Sequence, residues 1–112
     1  MVMKKYIPQK GDVIWLNFSP QSGREQRGRR PALVVSSTLY NKTGLLLACP
    51  ITSKIKGYPF EIKISAGPIQ GAVLSDHVKN QDWQTREAKF IAKAPTEVLN
   101  QTQQIIAALL TH

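Results

Sequence analysis

The chain alternates between short apolar runs and polar stretches that contain glycine or proline. Residues 12–18 are rich in β-branched and aromatic side chains, a composition typical of a strand. Residues 32–36 and 45–51 are nearly continuous apolar runs, which predict strands buried on both faces. These three runs form the predicted centre of a sheet.

The remaining strand signals are shorter. Residues 60–64 alternate apolar and charged side chains, as a half-exposed strand does. Residues 71–75 predict another strand, and residues 88–93 suggest a last one with less regular alternation. Between the first two strands, residues 20–30 lose all apolar character and contain two glycines, so we expect a polar loop there.

The period of the pattern changes near the C-terminus. Pro95 suits the first turn of a helix and Glu97 suits its positive end. Apolar residues then recur at spacings of three, four and seven, which predicts a helix over residues 95–110 with one apolar face. This face is expected to pack on the core, with its end open to a dimer or partner contact. Strands followed by one long helix predict a mainly β domain (β+α), a small curved antiparallel sheet or barrel with a C-terminal helix packed on it.

Composition narrows the class of protein. The 112 residues fit a single domain spanning 1–112, and 42% of them are hydrophobic. No apolar run is long enough to cross a membrane, and no apolar region follows the N-terminal lysines as in a secretory signal. Cys49, the single cysteine, is expected to be a buried, inert thiol, which suits a reducing cytoplasm. One cysteine and two distant histidines cannot supply a zinc site, and we expect no metal or other cofactor.

Basic residues dominate the charge. Fifteen lysines and arginines against seven acidic residues give a net charge of +8, which favours a polyanionic partner such as nucleic acid. Four arginines fall within residues 24–30, where Glu25 lies among them. Arginine binds phosphate through a planar fork, so this loop could converge on an RNA backbone, although a merely solvated charged loop is also possible.

Cutting RNA without a metal requires a base for the 2′-hydroxyl, an acid for the leaving oxygen and fixed positive charge at the phosphate. The chain offers Glu25, the loop arginines and the hydroxyls of Thr52 and Ser53. Neighbouring arginines should keep Glu25 ionised. No pair of histidines is available, and one His next to one Asp, at 76–77, is weak evidence for catalysis.

Aromatic side chains could stack on RNA bases. Trp15 and Phe60 lie in strand patterns, so we expect them to pack in the core. Tyr58 and Trp83 lie in polar segments and could face a groove.

Several segments together resemble the MazF toxin family. The opening PQKGDVIWLNFSP at 8–20 and the segment GREQRGRRPALVV at 23–35 carry the first part of the likeness. It continues through the following motifs: YNKTG at 40–44, CPITS at 49–53, KGYPFE at 56–61 and GAVLSDHVK at 71–79. The likeness covers almost the whole chain, with the helix matched by pattern more than by residue.

The resemblance implies a homodimeric SH3-like barrel and a metal-independent endoribonuclease. Members of the family cleave single-stranded mRNA at short sequences, leave a 2′,3′-cyclic phosphate and act as toxins of type II toxin–antitoxin systems in the bacterial cytoplasm. A cognate acidic, MazE-like antitoxin binds across the active-site groove, which fits the net charge of this chain. No membrane partner is implied.

The resemblance also assigns roles. It places the proposed base on Glu25, the essential arginine on Arg30 and a hydroxyl ligand of the phosphate on Thr52. Since an arginine pKa above ~12 disfavours proton donation, we interpret Arg30 as a clamp on the phosphate. Arg29 stands where close relatives carry histidine. The residues expected to bind RNA are Arg24, Gln26, Arg27, Arg29, Ser53, Lys56, Tyr58, Asp76, His77 and Lys79.

Two other readings remain open on the sequence. A CcdB-like toxin of similar architecture would bind a protein target such as gyrase and would not cut RNA. An accessory RNA-binding protein would bind RNA with strong salt dependence and release no fragments. A cleavage assay in the presence of EDTA separates both from a metal-independent nuclease.

Overall fold

The protein is described by a computed structural model that covers residues 5–18 and 28–111. Within these residues the chain forms one curved sheet, a short helix and a long C-terminal helix. In chain order the elements are β1 (Asp12–Asn17), β2 (Arg29–Val34), α1 (Thr38–Asn41), β3 (Leu45–Thr52), β4 (Glu61–Ala66), β5 (Ile69–Leu74), β6 (Lys79–Asp82), β7 (Lys89–Lys93) and α2 (Thr96–Thr111).

All strand pairs in the described part are antiparallel, in the order β4-β5-β3-β2-β1-β7. β3 is long enough to take two partners on one edge. Its first half pairs with β6, where Leu45 lies opposite Asp82, and its end pairs with β5, where Thr52 lies opposite Ala72. The sheet therefore forks along β3.

The sheet curls until its two ends approach each other. A side chain added at Gly67, in the turn between β4 and β5, would come within 3.1 Å of Ala92 in β7. Gly67 has a positive φ of 56°, a conformation that glycine adopts without strain. The result is a half-barrel whose concave and convex faces are both covered.

Two apolar clusters lie on opposite faces of the sheet, as strand alternation requires. Val13 belongs to one cluster, together with Leu33, and the next residue, Ile14, belongs to the other, together with Leu46. All four are fully buried. Burial of side chains of this size contributes roughly 1.5–3 kcal/mol each, so the clusters fix the strand register.

Helix α2 covers the Val13 cluster. Val98 is part of this cluster, and Ile105 and Ile106 pack against it. The buried Thr102 hydroxyl donates to the Val98 carbonyl at 2.8 Å, and the Gln103 amide donates to the Val35 carbonyl just beyond β2 at 3.3 Å. The apolar contacts and the Gln103 hydrogen bond hold the helix across the sheet, while the Thr102 hydrogen bond lies within the helix.

The N-terminal segment is tied to the sheet by a buried carboxylate. Asp12, 1% exposed, accepts hydrogen bonds from the Tyr6 hydroxyl at 2.6 Å and the Gln9 backbone N–H at 2.9 Å, and it pairs with the Lys93 ammonium on β7. Burial, and then the neighbouring Asp12 carboxylate, raise the pKa of Tyr6 well above its usual range. The tyrosine therefore stays neutral and donates to the carboxylate.

The structure confirms the expected curved antiparallel barrel with a C-terminal helix, and it corrects several details. Leu45 and Leu47 were expected to be buried but are more than a third exposed, because their side of β3 projects past the region that α2 covers. Arg29 and Arg30 were expected in the polar loop but belong to β2. Helix α1 and strand β6 were not predicted.

Candidate active site

Strands β2 and β3 bring two of the three predicted catalytic residues to one cavity. Ala32 lies opposite Pro50, and two residues further along the same register are Arg30 and Thr52. Both line a cavity of about 440 Å³ at this end of the sheet. The cavity is bounded by Trp15, Arg30, Pro31, Ile51, Thr52, Ser53, Lys54, Pro68, Ile69 and Gln70.

A second cavity of about 240 Å³ adjoins the first at Thr52 and Lys54, which line both. Its other lining residues are Lys56, Tyr58, Phe60, Glu61, Leu74, Asp76 and His77. We call the two cavities together the Thr52 groove. Lysine and arginine side chains lie there beside aromatic rings, the combination that tracks a single-stranded nucleic acid.

Thr52 is held rigidly. Its Oγ1 accepts a hydrogen bond from the Lys54 backbone N–H at 3.0 Å, which leaves the hydroxyl hydrogen available to a ligand. On the other side, β5 packs so closely that a side chain added at Gly71 would lie 2.1 Å from the Thr52 carbonyl oxygen. Only glycine fits at position 71, so the strand pairing itself fixes where Thr52 stands.

The two arginines of β2 differ in their surroundings. The Arg29 guanidinium lies over the Trp15 ring, 5.7 Å from its centre, a cation–π contact. Arg30 is exposed at the rim of the groove. A guanidinium in this position can offer its fork to a phosphate.

The second cavity contains several predicted RNA-binding residues. Tyr58 is 60% exposed, and the Lys56 ammonium lies 6.0 Å from the centre of its ring. Asp76 and His77 form a loose pair at 3.7 Å on the same wall. Ser53 lines the first cavity.

Other predicted site residues are not placed in the groove. Glu25, Arg24, Gln26 and Arg27 lie outside the described residues. Lys79 pairs with Ala48 on the β3–β6 side of the sheet, its ammonium 5.9 Å from the Phe18 ring, and it does not line either cavity.

Two aromatic predictions were wrong. Trp83 is 7% exposed and packs in the Ile14 cluster, and its indole N–H donates to the Asn41 carbonyl at 2.8 Å. The polar residues around Trp83 gave no sign that the turn after β6 places its ring in the core. Phe60, expected in the core, precedes β4 and lines the second cavity. Tyr58 faces the groove as predicted, and Trp15 lines its first cavity.

The groove also contains residues that the sequence did not single out. Lys54 follows Thr52 and Ser53 in a basic stretch, so its charge was a usable signal. Gln70 reaches the groove only because β5 pairs with β3, which no local pattern reveals. Within 5–18 and 28–111, no three His, Cys, Asp or Glu side chains are grouped as metal ligands.

Comparisons with known proteins agree on one family. A family model described as PemK-like, MazF-like toxin of type II toxin–antitoxin system matches residues 9–110. The endoribonuclease toxin MazF of Escherichia coli K12 is 46% identical over 99 residues, covering 87% of this chain and 89% of the relative. The endoribonuclease toxin ChpB of the same organism is 35% identical over 106 residues, covering 89% and 91%.

Solved structures give the same result. MazF from Deinococcus radiodurans superposes with a TM-score of 0.86 at 48% identity, covering 96% of this chain and 100% of that one. A MazE–MazF structure from the same organism gives a TM-score of 0.84 at 42% identity, covering 96% and 100%.

Proposed function

The chain belongs to the PemK-like, MazF-like toxins of type II toxin–antitoxin systems, and we propose that it is an endoribonuclease that cuts single-stranded RNA without a metal ion. The observation that carries the proposal is the meeting of Arg30 and Thr52 at one cavity. A phosphodiester placed there would face a guanidinium and a hydroxyl at once. The CcdB-like alternative is not favoured, because the relatives at 35–48% identity are MazF and ChpB toxins.

The proposed reaction is an attack of the 2′-hydroxyl on the adjacent phosphorus. Glu25 takes the 2′-proton, the bond to the 5′-oxygen breaks, and that oxygen takes up a proton from water as it leaves. The products are a 2′,3′-cyclic phosphate and a free 5′-hydroxyl. Arg30 neutralises the charge that builds up on the phosphate, and the Thr52 hydroxyl donates to one of its oxygens.

The rest of the Thr52 groove binds the RNA on either side of the cut. Lys54 and Lys56 supply charge for the backbone, while Tyr58 offers ring surface to unstacked bases. Asp76 and His77 could contact base edges through their polar groups. A duplex hides its bases, so a groove of this type favours single strands.

The proposal extends to partners and place of action. The D. radiodurans relative is known in a MazE–MazF structure, and we propose that this chain likewise forms a homodimer and binds an acidic antitoxin. Its net charge of +8 would attract such a partner. No helix in the described part is long and apolar enough to span a membrane. We place the activity in the bacterial cytoplasm, where mRNA is found.

The test is cleavage of a defined long RNA in the presence of EDTA, with mapping of the cut ends. Wild-type protein should yield discrete fragments ending in cyclic phosphate. Arg30→Ala and Glu25→Ala should abolish cutting and retain the wild-type thermal transition. Lys42→Ala, which removes an exposed charge from a turn outside the groove, is the matched control and should cut normally. Undiminished cutting by Arg30→Ala would refute the mechanism.

A further inference from the structure

The side chain of Glu61, at the start of β4, turns back onto the segment that precedes the strand. Its Oε1 accepts hydrogen bonds from three successive backbone N–H groups: Gly57 at 2.7 Å, Lys56 at 3.0 Å and Tyr58 at 3.3 Å. Its Oε2 accepts a second contact from Lys56 at 3.3 Å. Successive N–H groups that converge in this way form a nest, a common anion-binding arrangement of the backbone.

The sequence of the segment explains why the nest can form. Gly57 has a φ of +82°, in the left-handed region that favours glycine. This turn of the backbone directs the neighbouring N–H groups to one side. The motif KGYPFE thus contains both the nest, at 56–58, and the carboxylate that fills it, at 61.

The far side of the segment is anchored separately. Ser75 donates to the Phe60 carbonyl from its backbone N–H at 3.1 Å and from its hydroxyl at 2.6 Å. Ser75 is fully buried and belongs to the segment that carries Asp76 and His77. Glu61 and Ser75 therefore join the two segments that wall the second cavity.

The anchored segment carries the side chains that face the groove. Lys56 and Tyr58 are both exposed, and both line the second cavity. An exposed loop of this type loses backbone freedom on binding RNA unless it is already ordered, and prior order reduces that cost. The Glu61 carboxylate supplies this order through the backbone.

We propose that Glu61 is a positioning residue for RNA: it holds the 56–58 backbone so that Lys56 and Tyr58 meet the strand beside the cleavage site. The inference rests on the proposed nuclease function and deepens it. Glu61 acts through Lys56 and Tyr58, so it governs RNA affinity rather than the chemical step.

Electrostatics alone makes the opposite prediction. A carboxylate in a basic groove repels phosphates, so its removal should tighten RNA binding. If Glu61 positions the loop, its removal weakens binding in spite of the lost negative charge. The sign of the effect therefore separates the two explanations.

The experiment measures the Kd for an RNA with a 2′-deoxy sugar at the cut site, together with kcat and KM on the cleavable RNA. Glu61→Ala should raise Kd and KM about tenfold with kcat nearly unchanged, since one base–ring stack is worth roughly this factor. Glu61→Asp keeps the charge but is one methylene shorter, and it should behave like Glu61→Ala. Glu61→Gln keeps an acceptor of the right length and should stay within about twofold of wild type.

A double-mutant comparison adds a readout that general destabilisation would not move. Tyr58→Ala should weaken RNA binding in the wild-type and Glu61→Gln backgrounds and have little further effect in Glu61→Asp. Hydrogen exchange at the Gly57 amide should accelerate in Glu61→Asp and Glu61→Ala only. Glu97→Ala, which removes a carboxylate from the first turn of α2, is the charge control.

The outcomes separate this proposal from the proposed function. If wild type cuts RNA and needs Arg30, yet Glu61→Asp binds RNA as tightly as wild type, the positioning role is wrong and the nuclease stands. Tighter binding by Glu61→Ala overturns it as well. If wild type does not cut RNA but Glu61→Asp still binds it about tenfold more weakly, the positioning role survives and the nuclease mechanism fails.

Discussion

Thr52 lies at the centre of the proposed catalytic site. It lines both cavities of the groove, and its position is fixed by its own turn and by β5. A hydroxyl held in this way before the substrate arrives loses little freedom on meeting a charged phosphate. Preorganised donors of this type are among the larger contributions to catalysis.

Replacing Thr52 by Val tests this role, because it keeps the shape and removes the hydroxyl. The single-turnover cleavage rate should fall by about 100-fold, as for other single donors to a developing negative charge. Thr52→Ser should restore most of the rate. Thr111→Val, at the exposed end of α2, serves as the matched control. A Thr52→Val enzyme with a wild-type rate would show that the hydroxyl serves only the turn to Lys54.

Cys49 gives a prediction about pH. Burial, and then the charge of Asp76, raise the pKa of its thiol to about 12 from 9.0. Because the thiolate is the reactive form, labelling of the folded protein by a thiol reagent at pH 8 should be at least about 1000-fold slower than in urea. Folded-state stability should also fall as pH rises from 9 towards 12, since only the unfolded chain loses the proton there. Equal labelling rates with and without urea would contradict this assignment.

At the scale of elements, the apolar pattern located the core strands, although β2, predicted at 32–36, runs from Arg29 to Val34. β1, β3 and α2 were predicted within one or two residues of their observed ends, because burial imposes their periodicity. β6 could not be predicted, since its sequence KNQD carries no apolar pattern and it exists as a strand by pairing with Leu45–Ala48.

The residues of the candidate site likewise divide into those that the sequence predicted and those that it misplaced. Arg30 and Thr52 came from the family motifs, and the β2–β3 register then explains why they meet. Trp83 was misplaced because its burial depends on Asn41, 42 positions earlier, which accepts its indole N–H. The local sequence shows which residues have side chains suited to the reaction. Strand pairing over long distances decides which of them meet.

The close approach of β5 to β3 is the element-scale feature most open to test. Gly71→Ala would place a methyl group 2.1 Å from the Thr52 carbonyl oxygen, so one strand must shift. We expect a loss of at least about 3 kcal/mol in the free energy of unfolding. Gly44→Ala is the control: its added methyl meets nothing within 4 Å, and only its φ of +99° is strained, which costs about 1–2 kcal/mol. Equal losses in urea unfolding would refute the steric argument.

At the scale of the whole molecule, the net charge of +8 favours attraction to RNA, and we propose that the Thr52 groove determines where the charge acts. Each phosphate that a lysine neutralises releases condensed counterions. For single strands the slope of log K against log salt changes by about 0.7 per contact. Charge spread evenly over the surface would make all lysines equivalent. If RNA contacts only the lysines of the groove, these lysines contribute to the slope and the others do not.

The change in salt slope on removal of both Lys54 and Lys56 can therefore be predicted. If both ammonium groups contact RNA phosphates, the Lys54→Ala/Lys56→Ala protein should show a salt slope less steep by about 1.4. The control with the same change in net charge is Lys42→Ala/Lys89→Ala, two exposed lysines that do not line the groove, and its slope should stay near wild type. The measurement is the Kd of the uncleavable RNA across a series of salt concentrations. Equal slopes for the two double variants would mean that RNA senses only the total charge and that the Thr52 groove is not where the backbone runs.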